Sequence, residues 1–184
     1  MKIYFNLLSK YRHKKYSEMS FLLFFYSYLS GILASFFMDA AETFMAKKGI
    51  SSGVTVNHIG RWFLSFGKLQ WTHVNIDETK PFPNEVFWGR IFHYFIAGGG
   101  IALLFPAGLL LLKLPMDYNL LYFGMAYGFL TNVFPWFWLM PSFGWGFFGL
   151  HKPQKSQTFA APTVSHIAYG LGLGLILYML LTML

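Results

Sequence analysis

The sequence has no cysteine at any of its 184 positions. Disulfides, thiolate nucleophiles and thiolate-bound metals or iron-sulfur clusters are thereby excluded, and a metal site would have to be built from His, Asp and Glu. Charge is nearly as scarce. Only 11% of residues are charged, with seven acidic side chains in all, against 55% hydrophobic and 21% aromatic. Such a chain has too little polar surface to enclose an ordinary soluble core, so it reads as a membrane protein. The net charge of +7 is accounted for by lysines and arginines flanking membrane spans. No helix-turn-helix or zinc-finger spacing accompanies it, and nucleic acid is not an expected partner.

Residues 1–18 form a basic segment, with Lys10, Arg12, Lys14 and Lys15 just ahead of an apolar run that begins near Met19. This resembles the front of a signal peptide. The run is long, however, and no small-x-small cleavage site precedes Asp39 and Glu42, so an uncleaved span is expected. Translation could start at Met1 or at Met19. Four stretches, near 19–45, 86–112, 119–140 and 163–184, are long enough to cross a hydrocarbon core, which takes about 20 helical residues. Pro106 and Pro135 lie within them and predict kinks.

Between the first two spans, Val56, Ile59, Trp62, Phe63 and Phe66 fall on one helical face and Asn57, His58, Arg61, Ser65 and Lys68 on the other. That pattern predicts an amphipathic helix at the bilayer surface. The segment Asp77 to Asn84 is turn-forming, Lys113 to Asp117 is a short hairpin, and Pro141 to Pro162 reads as an irregular loop. The expected fold is therefore all-α: one polytopic domain over 19–184, with four transmembrane helices and an interfacial helix between the first two. Lysine and arginine counts on the two sides balance for a start at Met1. For a start at Met19 they place the two larger loops in the cytoplasm.

Each span carries a polar residue that continues a stripe of small ones: Gly31, Ser35, Asp39; His93, Ala97, Gly100; Gly124, Gly128, Asn132; His166, Gly170, Gly174. Small residues at this spacing let helices approach closely, so the stripes are expected to face other helices. The spans alternate in direction and so does the order within the stripes. Asp39, His93, Asn132 and His166 should therefore lie on the long-loop side, at depths of roughly 5 to 12 Å given about 1.5 Å per helical residue. Glu42 lies one turn nearer the surface than Asp39, and Glu85 two turns above His93. Together these six residues make a candidate polar site or proton relay. Adding His73 from the long loop, the set His73, His93, His166, Asp39 and Glu85 could ligate Zn, Mn or non-haem Fe. No HxxxH or ExxH pair fixes two ligands on one helix. A structural alternative stands for each residue: Asp39 could pair with Arg90, and Glu85 could simply complement its helix dipole. Ser35 and Ser165 lack a nucleophile elbow and are expected to bond to backbone.

The segments MDAAETFMAKKG, GRWFLSFGKLQWTH, NEVFWGRIFHYFIAGGG, MPSFGWG and SHIAYGLGLG resemble, in order and spacing, a family of small bacterial integral membrane proteins catalogued as a domain of unknown function. The resemblance spans about residues 20–178. It implies a four-helix fold in the bacterial inner membrane and draws attention to Asp39, Gly60, Arg61, Trp62, His73, Glu85, His93 and His166. One position departs from the family pattern: where a histidine tends to follow Gly-Arg-Trp, this chain has Ser65 or Phe66.

Three functions fit these observations. The first is small-molecule or ion handling, by a carrier or proton-coupled transporter subunit that uses Asp39, His93 and His166 and works as a homo-oligomer or with a membrane-protein partner. The second is a metal-dependent membrane enzyme acting on a lipid. The third is a non-catalytic assembly subunit whose polar groups join helices. The lipid bilayer is the expected surrounding in each.

Overall fold

A computed structural model describes the backbone of residues 2–183 and the side chains of residues 21–183. The side chains of the basic segment 1–18 lie outside the described residues. All regular structure among the described residues is helical. Helix α1 runs Lys2–Lys47. It ends where Gly49 takes a left-handed conformation (φ 77°), with Gly49 N–H donating to Ala46 O at 2.9 Å and Ile50 N–H to Met45 O at 3.0 Å. These two bonds satisfy carbonyls that the helix end would otherwise leave open. Helix α2 (Val56–Ser65) starts on a capping box in which the Thr55 hydroxyl accepts from His58 N–H and His58 Nδ1 accepts from Thr55 N–H. Histidine here takes the part usually given to Glu or Gln.

Helix α3 (Glu85–Ile91) widens into a π-helix over Phe92–Gly100 before α4 (Leu104–Leu111). After a hairpin, α5 covers Leu120–Thr131. Asn132 caps α5 with right-handed helical angles, its side-chain amide donating to Phe129 O at 2.9 Å. A second π-helix, Pro135–Leu139, leads into the single turn α6 (Met140–Ser142). Helix α7 (Lys155–Thr182) completes the chain and contains Pro162.

Among the described residues three helices are long and apolar enough to cross a membrane: Phe21–Lys47, Glu85–Leu111 and Lys155–Thr182. The predicted span at 119–140 is not one continuous helix. Asn132 diverts a carbonyl from the ladder and Pro135 brings no N–H to it, so α5 stops at twelve residues. In the three long helices only 33%, 33% and 39% of the most apolar window is buried. Phe21, Leu33, Phe36, Leu104, Leu111 and Leu130 stand exposed along the helices. An apolar exterior of this extent matches lipid as the solvent.

Helix α7 packs against both α1 and α5. The small-residue stripes carry the α5–α7 contact and that of α1 with the π-helix. A methyl group at Gly124 or Gly128 would run into the backbone of α7 at Gly170, Gly174 and His166, and one at Gly31 would meet Gly98 and Ala102. Close backbone approach is the main route to helix association where burial from water offers none. Two separate cores result. One lies in the bundle, around Leu23, Ala34, Phe105, Leu120, Tyr169 and Leu173. The other is an aromatic cap of Trp62, Ile76, Trp136, Met140, Phe143 and Trp145. The cap joins the first long loop to the third, through His73 N–H to Ser142 O at 2.7 Å and Ile76 N–H to Phe143 O at 2.9 Å.

Candidate functional site

Between the bundle and the cap lies a cavity of about 610 Å³. Its walls come from α1, the π-helix after α3, the end of α5 and α7, and its roof from Trp62, Phe66 and the chain around Val54. Asp39, Glu42, Arg90, His93, Thr131 and His166 all line it. Four of the six residues of the predicted polar site therefore share one space. Asn132 does not line it; its side chain is fully buried, with the amide turned to backbone and Oδ1 without a partner.

Asp39 is held from the π-helix. One carboxylate oxygen lies 2.9 Å from His93 Nε2 and the other accepts from the Tyr94 hydroxyl at 2.5 Å. In an α-helix two consecutive side chains diverge by about 100°. The wider π turn narrows that angle and lets neighbours address the two oxygens of one carboxylate, in keeping with the tendency of π segments to mark functional positions. The far end of the π segment is tied down by hydroxyls: Tyr169 donates to Gly98 O at 2.6 Å and Tyr127 to Ile101 O at 2.5 Å. Arg90, which Asp39 could have paired with directly, is exposed at the cavity and bears on Asp39 through its charge.

Among the described residues Glu42 has a single weak donor. Its Oε1 lies 3.3 Å from Ser165 Oγ, and the same hydroxyl lies 3.2 Å from Pro162 O, so one hydrogen serves two acceptors. His166 Nδ1 sits 2.7 Å from Thr131 Oγ1, which is also 2.7 Å from Gly128 O. When the hydroxyl hydrogen goes to that carbonyl, His166 Nδ1–H is the donor and Nε2 is left as an acceptor. Ser35 back-bonds to Gly31 O at 3.1 Å, as expected of a hydroxyl in a helix.

Glu85 is placed elsewhere. Arg61 grips it with two bonds, Nε to Oε2 at 3.0 Å and Nη2 to Oε1 at 2.9 Å. Asn57 and the Phe82 N–H complete its shell at 3.1 and 3.2 Å, so its oxygens are occupied by protein donors. Arg61 in turn donates to Ile76 O and Thr79 O. The polar face of α2 thus turns inward onto α3. Gly60 and Gly89 make room for this, since a methyl on either would strike the other helix's backbone. His73 belongs to the cap: it is buried, Nδ1 lies 3.0 Å from Thr79 Oγ1, and Nε2 has no partner. The five residues of the predicted metal set accordingly lie in three places. Among the described residues no group of three or more His, Asp or Glu is arranged to hold one metal ion.

Sequence reasoning passed over Tyr94 and Thr131. The first could have been found as a hydroxyl adjoining His93 in an apolar span. Thr131 could have been found one residue before Asn132, at the end of the Gly124 and Gly128 stripe.

The profile of a family described as protein of unknown function (DUF2938) matches residues 28–179. Neither a curated protein nor a solved structure matches the chain.

Arg61→Met leaves Glu85 as a buried, unpaired carboxylate and is expected to cost about 3–5 kcal/mol of unfolding free energy. The double variant Arg61→Met/Glu85→Leu should regain more than half of that in detergent-solubilised unfolding curves. A double variant no more stable than the single would show that the pair is not the fastening.

Burial holds His58 below the ordinary histidine range despite Asp77 at 3.2 Å, and burial followed by the nearby Arg61 charge does the same for His73. Because the folded values are depressed, the stability linked to the neutral imidazoles is complete above about pH 6.5 and is lost as pH falls. Protonation also removes the Nδ1 acceptor from the α2 capping box. The melting temperature should fall between about pH 7 and 5.5, and His58→Gln/His73→Gln, which keeps a capping-box side chain, should flatten the profile. A wild-type melting temperature that is level or rises toward acid would contradict this assignment.

Proposed function

Because the chain belongs to the DUF2938 family, whose function is unknown, its activity has to be argued from the site, and we propose that it is a multi-pass inner-membrane protein that binds and moves a small molecule. The observation that carries this reading is the cavity of about 610 Å³ between membrane-length helices, largely apolar in its walls and with Asp39, Glu42, His93 and His166 on its surface. Volume and lining fall within the usual range for small-molecule sites, where a few polar groups orient a ligand that apolar walls enclose. Ionisable groups within membrane helices are costly, which favours a functional use for a set gathered in one space.

Four crossings are part of the proposal. The first and third loops are hydrogen-bonded to each other within the cap, so they lie on one side. The helix Glu85–Leu111 carries the chain away from that side, and the broken segment 120–142 has to bring it back. The interruption at Asn132 and Pro135 is supportable in a membrane because that backbone is buried in protein and borders the cavity.

The missing cysteines make the topology simple to test, since any introduced thiol is the only one. Val74→Cys and Leu150→Cys should be labelled from one side of sealed vesicles and Met116→Cys from the other. Labelling of positions 74 and 150 from opposite sides would reject four crossings. For the function, protein isolated in mild detergent should carry a small molecule detectable by mass spectrometry. Its amount should fall about tenfold in Asp39→Asn/His93→Gln, as expected for loss of an orienting polar pair. Equal content in a folded variant, or none in the wild type, would overturn the reading.

A further inference from the structure

The two carboxylates of the cavity are unequally provided for. Asp39 has the His93 ring at 2.9 Å, the Tyr94 hydroxyl at 2.5 Å and the Arg90 charge nearby. Among the described residues Glu42, one turn along α1, has the shared hydroxyl of Ser165, at 3.3 Å, as its one hydrogen-bond donor, and His93, which is bonded to Asp39, as its one charged neighbour of opposite sign. Among the described residues no lysine lines the cavity, and the one guanidinium there, Arg90, bears on Asp39 through its charge. Among the described residues no cation is thus bonded to Glu42, in a largely apolar space.

The walls are of a kind that suits a cation. Trp62, Phe66, Phe92, Tyr94, Phe134 and Trp138 all border the cavity. Aromatic rings attract ammonium groups through their quadrupole, and do so more strongly when water is displaced, so rings around a carboxylate form a recognised means of holding an amine. An anionic ligand would meet Glu42 without compensation. A neutral one would leave the carboxylate buried beneath it and unpaired, at a desolvation cost.

Resting on the small-molecule reading above, we propose that the cavity takes a small organic monocation, an amine or quaternary ammonium whose charge is met by Glu42 and whose body is received by the aromatic walls. Asp39 and His93 then act as a fixed polar pair beside it, and Ser165 orients the Glu42 carboxylate.

The test compares benzyltrimethylammonium with neopentylbenzene, its uncharged carbon counterpart, by equilibrium binding to purified full-length protein in lipid nanodiscs. Wild type should bind the cation at least about tenfold more tightly than the neutral probe. Glu42→Gln should abolish that preference while binding the neutral probe within about twofold of wild type, a readout that also shows the variant to be folded. Equal binding of both probes by wild type would overturn the cation assignment and leave a small-molecule cavity in place. Failure of both probes to bind, or an undiminished cation preference in Glu42→Gln, would also overturn it. Should Glu42→Gln not fold, the wild-type comparison of the two probes decides alone. The small-molecule reading itself fails on a different result, the absence of any co-purifying ligand.

Discussion

The contact between α2 and α3 governs how the cap sits on the bundle. Gly60 and Gly89 let the two backbones touch, and Arg61 then spans the junction, holding the Glu85 carboxylate on one side and the carbonyls of Ile76 and Thr79 on the other. A guanidinium suits this position because its planar fork serves a carboxylate with two bonds and still has donors left over. Trp62 follows Arg61 directly and so is driven into the aromatic cluster, where Phe66, Phe92 and Trp138 meet it edge-on at 4.6 to 5.9 Å. One ion pair therefore sets the height of the cavity roof.

The polar floor depends on a different device. The bundle brings Asp39, Glu42, His93 and His166 to one cavity because small residues beneath them let α1, the π segment, α5 and α7 approach closely. The π-helix then adjusts the angle so that His93 and Tyr94 both reach Asp39. Its displaced carbonyls are partly recovered by tyrosine hydroxyls from α5 and α7, which is how a departure from α geometry is maintained in a low-dielectric interior.

Much of this was legible in the sequence. The glycine stripes specify which helix faces meet, because the requirement for small residues is local and periodic. Depth follows from residue counting along straight helices, so the levels of Asp39, His93 and His166 were accessible too. Glu85 and His73 were less so. Their neighbours are fixed by where Arg61 and the loop at 73–79 fold back, and side chains 24 residues apart, like Arg61 and Glu85, leave no periodic trace. The polar face of α2 had the pattern of a surface helix, yet a buried carboxylate on α3 gives it an interior use. The π segments escaped notice for another reason. In a uniformly apolar stretch, a change from four-residue to five-residue hydrogen bonding alters no hydrophobic pattern.

The separation of the chain into two cores makes the cavity a seam, with a floor of membrane helices and a roof of loop aromatics. Structures with distinct packed units can open at the junction at a lower free energy than either unit needs to unfold. A parting at that junction would leave the contacts of α7 with α1 and α5 in place. The hydrogen bonds that would have to part are those that join the two loops and those that Arg61 makes.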